Sequence, residues 1–397
     1  MKKCRIAVII CMIFLIAVSA FSVYAVDGFE DLEVKNQNKS VTGITETNES
    51  KNLKRQHEII DYVCKTIPED IFGGVYLDEN QNIIVNITEE NKELIECVQS
   101  RFNGEKIIFK KVELSLAYLE EIHAKLNNYM KEYNIAGIDA NEVTNKIDIE
   151  LYKDMPEIYD FLADFISIKH VNISVIPEGR KYSFCVKKCD DSKEEKTLSA
   201  ESSQMAATMV LYPGLTINKD GYEYTVGPKY SATTFKTSGH ASRYGSGTSF
   251  YMTVSGISRK VGTTQSYSLG FGGDHMTVSV NSMYFSLPST NRFAAGSGTY
   301  SITSTHPTGT NIEMHGGKSG VSQGKITGTN QSVYIQDLGI TIYNLGRASY
   351  TSQGGDSGAG VFSANAINVT GYCYGIQSIG VFDNNSQIST YSYFSYI

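Results

Sequence analysis

The chain has 397 residues, with 35 Lys and Arg against 42 Asp and Glu and a formal net charge of −7. This acidic balance argues against a nucleic-acid-binding protein, which needs a basic surface to neutralise phosphates. The hydrophobic content of 41% argues against global disorder, and the length allows two or three domains of about 100–200 residues each.

Charge and glycine content divide the chain near residue 200. Residues 201–397 carry 10 Lys and Arg and 8 Asp and Glu, which gives +2, whereas residues 1–200 carry −9. The neutral half also holds 28 of the 35 glycines. Two such different compositions predict two parts with different folds and different roles.

The first 25 residues have the pattern of a secretory signal peptide. Three basic residues stand within the first five, an apolar run of 13 residues covers 6–18, and small residues precede a cleavage point after Ala25. The run is shorter than the about 20 residues that span a bilayer. We therefore expect an exported, extracellular protein without a membrane contact once residues 1–25 are removed.

Residues 26–200 are predicted to form an accessory region. Its polar start is expected to be a flexible lead, and its end a charged linker that is a candidate cleavage zone. Between them, apolar spacing indicates helices, and alternating patterns indicate strands, which together predict a small α+β domain. The predicted segments are a lead at 26–55, helices at 56–66 and 112–136, strands at 74–77, 83–87, 147–149 and 171–175, and a linker at 190–206.

Five cysteines remain after the predicted signal peptide, four in the acidic half (Cys64, Cys97, Cys185 and Cys189) and Cys373 alone in the neutral half. The spacing of Cys185 and Cys189 does not match a zinc site, because no second pair and no paired histidines follow. The sequence favours buried or free thiols over a metal site.

The neutral half has an all-β pattern. Period-2 stretches at 222–226, 249–254 and 333–335 recur with Gly, Ser and Asn punctuation every 8–12 residues. A long helical pattern does not interrupt them. A sandwich or a barrel is expected.

Three short segments of this half carry candidate chemistry. Ser357 lies in Gly-Gly-Asp-Ser-Gly-Ala-Gly, His240 in Ser-Gly-His-Ala and Asp274 in Gly-Gly-Asp-His. A serine hydroxyl becomes a good nucleophile when a base takes its proton and donors await the developing oxyanion. Taken singly, each segment also fits a plain glycine turn or an ordinary histidine. The chain order His, Asp, Ser is that of chymotrypsin-type enzymes.

Together these segments resemble the chymotrypsin-fold serine proteases, and most closely the secreted bacterial branch that includes α-lytic protease and the streptogrisins. The resemblance implies two antiparallel six-stranded β-barrels with the active site between them, preceded by a small α+β pro domain. It divides the chain into a signal peptide (1–25), a pro region (26–200) and a protease domain (201–397). The matching stretches are 238–240, 355–358, 318–327 and 375–380, with 74–78 and 83–88 resembling the branch's pro region.

The resemblance implies a role for each motif residue. Ser357 is the expected nucleophile and His240 the general base and then the acid, while Asp274 orients His240 and stabilises its cation. The backbone N–H groups of Gly355 and Ser357 are the expected oxyanion hole. Such donors are worth about 3–4 kcal/mol each in related hydrolases.

The same resemblance places the substrate. Ser378, Ile379 and Gly380 are expected to bind it as an added strand. Thr351 stands six residues before the nucleophile, where trypsin has an acid, so cleavage after Lys or Arg is disfavoured. Gln377 stands where glutamate-specific members carry histidine, which leaves a glutamate preference unsupported. We expect a medium or large uncharged residue before the cut, with Gly380 leaving room for it.

Some positions depart from the branch or leave alternatives open. Asp337 also lies between His240 and Ser357, but in a stretch that is predicted to be a strand of the second barrel. Ala241 stands where the branch has a bridged cysteine, so that disulfide is absent. The branch holds the aspartate before the nucleophile with a buried arginine, and here His315 or Arg347 takes that position. The hypothesis is that His315 pairs with Asp356.

The expected function is that of a secreted serine endopeptidase, made as a pre-pro-enzyme, that acts on protein or peptide substrates. The resemblance implies no cofactor and no metal, and it makes the pro region a partner that assists folding, inhibits the enzyme and is then cut away. Two other classes stay open, which are a non-catalytic binding protein on the same fold and a secreted β-rich adhesin that binds carbohydrate.

Overall fold

A computed structural model of the chain describes residues 47–189, 208–242, 245–384 and 386–397. The predicted signal peptide, most of the predicted lead and the predicted linker at 190–206 lie outside these residues. The boundaries at residues 25 and 200 therefore stay predictions.

The first described range, 47–189, alternates helices and strands, and short 3₁₀ turns lie at Asn127–Tyr129 and Ile168–His170. In chain order its elements are α1 (Asn48–Thr66), β1 (Phe72–Leu77), β2 (Ile83–Ile87), α2 (Lys92–Arg101), β3 (Ile107–Lys111), α3 (Leu116–Leu126), β4 (Ile135–Asn141), β5 (Lys146–Leu151), α4 (Glu157–Ala163), β6 (Val171–Val175), β7 (Lys181–Phe184) and β8 (Lys187–Lys188).

Helix α1 begins earlier than the sequence predicted. The Thr47 side chain accepts a hydrogen bond from the N–H of Ser50, which caps the helix. Its apolar face packs on the small sheet β1–β2–β3 through Ile59, Ile60 and Val63. The prediction of a flexible lead is therefore wrong for residues 48–55, whose polar composition reflects an exposed helix face.

The predicted helix at 112–136 is too long at both ends. Helix α3 is capped by the Ser115 hydroxyl, which accepts from the N–H of Tyr118. The helical path stops before Asn134, which has a φ of +50°, and Ile135 opens strand β4. The run from Ile135 to Ala140 is buried and belongs to β4, so the predicted helix extended two residues into this strand.

The remaining described residues are mostly β, with 3₁₀ turns at Gly239–Ala241 and Gln336–Leu338. In chain order the strands are β9 (Met209–Val210), β10 (Thr216–Lys219), β11 (Tyr222–Thr225), β12 (Thr234–Thr237), β13 (Ser249–Val254), β14 (Ile257–Gly270), β15 (Gly273–Val280), β16 (Phe285–Ser286), β17 (Tyr300–Ile302), β18 (Asn311–Gly316), β19 (Gly320–Ile335), β20 (Ile340–Ala348), β21 (Gly360–Ser363), β22 (Gly371–Phe382) and β23 (Tyr391–Ser395).

The period-2 pattern explains why these residues form strands with one buried face. In β13, Phe250 and Met252 are buried while Tyr251 and Thr253 point to solvent. The predicted strands at 222–226, 249–254 and 333–335 coincide with β11, β13 and the end of β19. The all-β character predicted for this half is therefore confirmed.

Two large sheets organise this half. One has the order β12-β15-β14-β13-β10-β11-β8, and the other contains β18-β21-β22-β23-β20-β19. Strand β18 also pairs with β19, so each of these last six strands has two neighbours. Two complete six-stranded barrels stay a prediction.

Strands of the accessory region extend both sheets. Strand β4 pairs with β19 through Ile138 and Ser332. Strand β7 pairs with β22 and strand β8 with β11. Strand pairing thus joins the acidic and neutral halves at three places, and the N–H of Leu77 also donates to the carbonyl oxygen of Thr308 at 2.8 Å. Within the described residues, no helix has the length and apolarity to cross a membrane.

Candidate active site

His240 and Asp274 lie on two paired strands. His240 follows β12 in the short 3₁₀ turn, and Asp274 opens β15, which pairs antiparallel with β12. The Nδ1 atom of His240 is 2.6 Å from Oδ2 of Asp274, and the backbone N–H of His240 donates to Oδ1 at 2.6 Å. With a proton on Nδ1, neutral imidazole presents the Nε2 lone pair on its other side.

The carboxylate of Asp274 is fully buried and held by donors. The Ser378 hydroxyl also donates to Oδ2. Gly239 makes the approach of the two strands possible, because a Cβ there would collide with the backbone oxygen of Ser268 and lie 3.0 Å from Oδ1 of Asp274. The glycine before His240 therefore sets the contact between the imidazole and the carboxylate.

Asp337 lies elsewhere. It is exposed in the 3₁₀ turn Gln336–Leu338, which follows the end of β19 at Ile335. The expectation that Asp337 lies in a strand is wrong by two residues. The structure brings Asp274 to His240, while Asp337 faces solvent.

Ser357 lies in a glycine-rich turn before β21. Gly355 and Gly358 have φ values of +102° and +91°, which side chains rarely adopt. A Cβ on Gly358 would collide with the Thr237 hydroxyl. Ser357 Oγ and His240 Nε2 are both buried, and neither has a hydrogen-bond partner within the described residues.

The hypothesis that His315 pairs with Asp356 is wrong. His315 Nε2 lies 2.8 Å from Oε1 of Glu313. The alternative candidate, Arg347, forms an ion pair of 3.3 Å with Glu150 of the accessory region. Neither side chain reaches the aspartate before the nucleophile.

Backbone amides hold Asp356 instead. Its Oδ1 accepts from the N–H groups of Lys318 and Ser319 at 2.9 and 3.0 Å, and its Oδ2 from the N–H of Gln353 at 2.9 Å. The Ser319 hydroxyl adds a further bond to Oδ2. Gly316 leaves the space for this, because a Cβ there would collide with Oδ1.

A strand of the chain itself occupies the predicted substrate-binding edge. Strand β7 runs antiparallel to β22, with Phe184 opposite Ile379 and Ser183 opposite Gly380. The N–H of Cys185 donates to the carbonyl oxygen of Ser378 at 3.2 Å. Ser378, Ile379 and Gly380 therefore hold an added strand.

The carbonyl of Cys185 lies at the turn that contains Ser357. Its oxygen accepts hydrogen bonds from the N–H of Gly355 at 2.7 Å and from the N–H of Ser357 at 3.1 Å. The ring of Phe184, one residue earlier, stacks on the ring of His240 with 3.9 Å between centroids and 12° between planes. The carbonyl of Cys185 thus lies at the turn that contains Ser357, and the residue before it lies against His240.

The side chain of Cys185 is buried, and the groups that contact its Sγ are uncharged. Its Sγ is 3.1 Å from the hydroxyl of Ser352 and accepts from Nε2 of Gln377 at 3.2 Å. The hydroxyl of Tyr350 donates to Oε1 of Gln377 at 2.6 Å, which fixes the amide. Burial raises the pKa of the Cys185 thiol to about 12, so the thiol is neutral at physiological pH.

Thr351, which is expected to bind substrate, does not face the Cys185 side chain, and its role stays a prediction. Thr351 is exposed, and its N–H donates to the Ser322 hydroxyl at 3.2 Å. Ser352 faces the Cys185 side chain instead, because its N–H bonds to the Ser389 hydroxyl at 2.7 Å and turns its side chain inward. Sequence reasoning missed Ser352 and Tyr350, since neither stands in a motif.

After Cys185 the chain pairs with the large sheet that contains β11. Lys187 and Lys188 pair with Glu223 and Tyr222 of β11. The segment therefore crosses between the two large sheets, held by backbone pairing on both sides of Val186. Within the described part of the chain, no cluster of three or more His, Cys, Asp or Glu side chains is arranged to hold a metal ion.

The structure thus brings together a buried serine in a glycine turn, an imidazole held by a carboxylate and two N–H groups on one carbonyl oxygen. No family model matches the sequence, and no curated protein matches it. Among solved structures, the chain is similar to Thermobifida fusca protease A, at 24% identity over 48% of this chain and 92% of that chain, with a TM-score of 0.37.

Two further solved structures are similar over the same share of the chain. For Nocardiopsis protease the identity is 24%, the coverage 48% of this chain and 93% of that chain, and the TM-score 0.36. For Cellulomonas bogoriensis chymotrypsin the identity is 22%, the coverage 47% and 92%, and the TM-score 0.35. These are proteins of the kind that the sequence motifs resemble.

Proposed function

We propose that the chain is the precursor of a secreted serine endopeptidase. One observation carries the proposal, namely that the N–H groups of Gly355 and Ser357 both donate to the carbonyl oxygen of Cys185, a peptide carbonyl of the chain. This is the contact an oxyanion hole makes with the carbonyl under attack. His240, which is held by Asp274 and stacks on Phe184, is proposed to supply the base.

The proposed reaction has two steps, acylation and deacylation, which use the same groups. Nε2 of His240 takes the proton of Ser357 as Oγ attacks the carbonyl carbon, and the two N–H groups stabilise the oxyanion. His240 then protonates the leaving nitrogen, which leaves an acyl-enzyme that water hydrolyses. Asp274 acts as a positioning residue, because it keeps the proton on Nδ1 and stabilises the imidazolium.

The accessory region is proposed to be an inhibitor and folding assistant. Support comes from the three strand pairings that join it to the neutral half and from β7, which covers the edge where a substrate strand would bind. Long-range pairings dominate the neutral half, and such folds form slowly. A template that supplies β4 and β7 would shorten the search for these pairings.

Hydrolysis of a peptide library by the secreted product of the full-length chain tests the proposal. The wild type should cleave peptide bonds, and Ser357→Ala should lose at least about 10³-fold in kcat/KM. Ser301→Ala is the matched control, since Ser301 is exposed on β17 and far along the chain from the site. A folded wild type without hydrolysis would indicate a binding protein on this fold.

A further inference from the structure

We propose that the precursor cuts itself between Cys185 and Val186, and that its specificity pocket is built for a small uncharged side chain such as cysteine. This inference rests on the proposed endopeptidase function and adds the bond and the pocket chemistry. It places the cut before the predicted linker at 190–206.

The backbone around Cys185 is bound as a substrate backbone must be. On the amino-terminal side, β7 pairs with β22, and the Cys185 N–H donates to Ser378 O at 3.2 Å. At the carbonyl itself, the N–H groups of Gly355 and Ser357 donate to the oxygen. These contacts place the Cys185–Val186 peptide bond at the turn that contains Ser357.

The carboxyl-terminal side is also held. Lys187 pairs with Glu223 in the sheet that contains β11. Val186 packs against the hydrophobic clusters of both large sheets, so it bridges the cleft. Pairing on both sides keeps the Cys185–Val186 peptide from sliding along the site, because a one-residue shift would break both registers.

The pocket matches the size and polarity of the thiol. The Ser352 hydroxyl and the Gln377 amide contact Sγ at 3.1 and 3.2 Å. A Cβ on Gly380 would lie 3.0 Å from Sγ, so the absence of a side chain at Gly380 leaves the space that the thiol uses. The polar contacts of the pocket are therefore placed for a side chain of two heavy atoms.

The residues around this pocket also disfavour a charged side chain at position 185. Behind Ser352, the hydroxyls of Ser389 and Ser392 lie 3.2 and 2.8 Å from its Oγ, and all three serines are buried. A lysine or glutamate side chain at position 185 would lose its hydration here, and either one is longer than the thiol that these residues enclose. A neutral thiol, hydroxyl or methyl group avoids that cost.

The reaction balances with water as the second reactant. Ser357 Oγ forms a bond to the Cys185 carbonyl carbon while His240 takes its proton. The bond from that carbon to the Val186 nitrogen breaks, and His240 donates the proton to the nitrogen, which becomes a new amino terminus. Water then adds to the ester, returns a proton to Ser357 through His240 and leaves a carboxylate on Cys185.

Intact mass and amino-terminal sequencing of purified full-length precursor test the proposal. We expect two fragments, one that ends at Cys185 and one that begins at Val186, formed at a rate that does not change on tenfold dilution. The Ser357→Ala precursor should stay intact. Fragments that meet instead within 190–206 would overturn the proposed bond.

Substitutions at position 185 test the pocket. Cys185→Ser and Cys185→Ala should be cut within about threefold of the wild-type rate, and Cys185→Lys at least about 100-fold more slowly. Glu178→Lys is the matched control, because it places the same side chain at an exposed site before β7 and should leave the rate unchanged. Equal rates for Cys185→Lys and the wild type would overturn the pocket assignment.

Hydrolysis of an unrelated peptide library by the same samples separates the two proposals. Cleavage of library peptides without a cut at the Cys185–Val186 bond would contradict this inference and would still support the endopeptidase function. A folded wild-type protein that stays intact and cleaves no library peptide would contradict both proposals.

Discussion

His57 connects the accessory region to the neutral half in a way that pH should reveal. It lies on α1, and its ring stacks on Tyr372 of β22 with 4.0 Å between centroids. Its Nε2 is 3.0 Å from the hydroxyl of Tyr374 on the same strand. Burial lowers the pKa of His57 to about 4, against which the nearby Asp61 carboxylate works weakly.

The pKa shift gives the sign and size of the effect. An unfolded histidine has a pKa of about 6.5, so the unfolded chain takes up a proton on His57 before the folded chain does. The free energy of unfolding therefore falls as pH drops below 6.5 toward 4. At pH 5 the cost worked from these two pKa values is about 2 kcal/mol, or about 30-fold in the unfolding equilibrium.

Urea unfolding of the Ser357→Ala precursor at pH 8 and pH 5 measures this cost. His57→Gln in the same background is the reference, since glutamine keeps a polar partner for Tyr374 and does not titrate. The precursor with His57 should lose about 2 kcal/mol more than the His57→Gln precursor between the two pH values. Equal losses would refute the burial of a neutral His57 against β22.

Three other perturbations have defined outcomes. Burial raises the pKa of Asp139 well above its usual range, so the folded state must lose that proton as the pH rises and the free energy of unfolding should fall. In Asp139→Asn the free energy of unfolding should fall less steeply with rising pH. Urea unfolding at several pH values measures both slopes, and equal slopes would contradict this. Gly239→Ala should cost about 1–3 kcal/mol, because its Cβ would collide with Ser268 O, and an unchanged midpoint in thermal unfolding would show that this turn is loose. Asp274→Asn should lower kcat by about 10⁴ with KM little changed, and a loss below tenfold in steady-state assays would remove Asp274 from its positioning role.

The site residues with local chemical requirements were predictable from the sequence. Glycines that flank Ser357 and precede His240 are needed for the tight turns seen around both, and the aspartate at the start of a strand reaches His240. In each case the residue type stands in a short motif that can be recognised in the sequence, although the contacts that it makes join distant residues. Such features leave a readable pattern.

Features that depend on distant contacts were not predictable. Nothing in the sequence around Cys185 indicates that its carbonyl meets Gly355, because that contact joins residues far apart and the segment carries no motif. The inward turn of Ser352, against the outward Thr351, follows from a hydrogen bond to Ser389. The start of α1 was missed because its first turns are polar and only the cap at Thr47 marks them.

The hydrogen-bond partners of buried charged groups were also predicted wrongly. The resemblance predicted a side chain for Asp356, but backbone N–H groups of the turn after β18 satisfy that carboxylate. The backbone donors do not depend on side-chain identity, and the one side-chain donor, the Ser319 hydroxyl, stands in no motif that assigns it this role. His315 pairs within its own strand, with Glu313.

The most direct test of the central claim is the mass of the chain after reaction with a fluorophosphonate, followed by mapping of the adduct. The endopeptidase account predicts one adduct per cleaved molecule, on the peptide that contains Ser357, and none in Ser357→Ala or after mild unfolding. Folded, cleaved protein without an adduct at Ser357, or with the adduct on another serine, would contradict it.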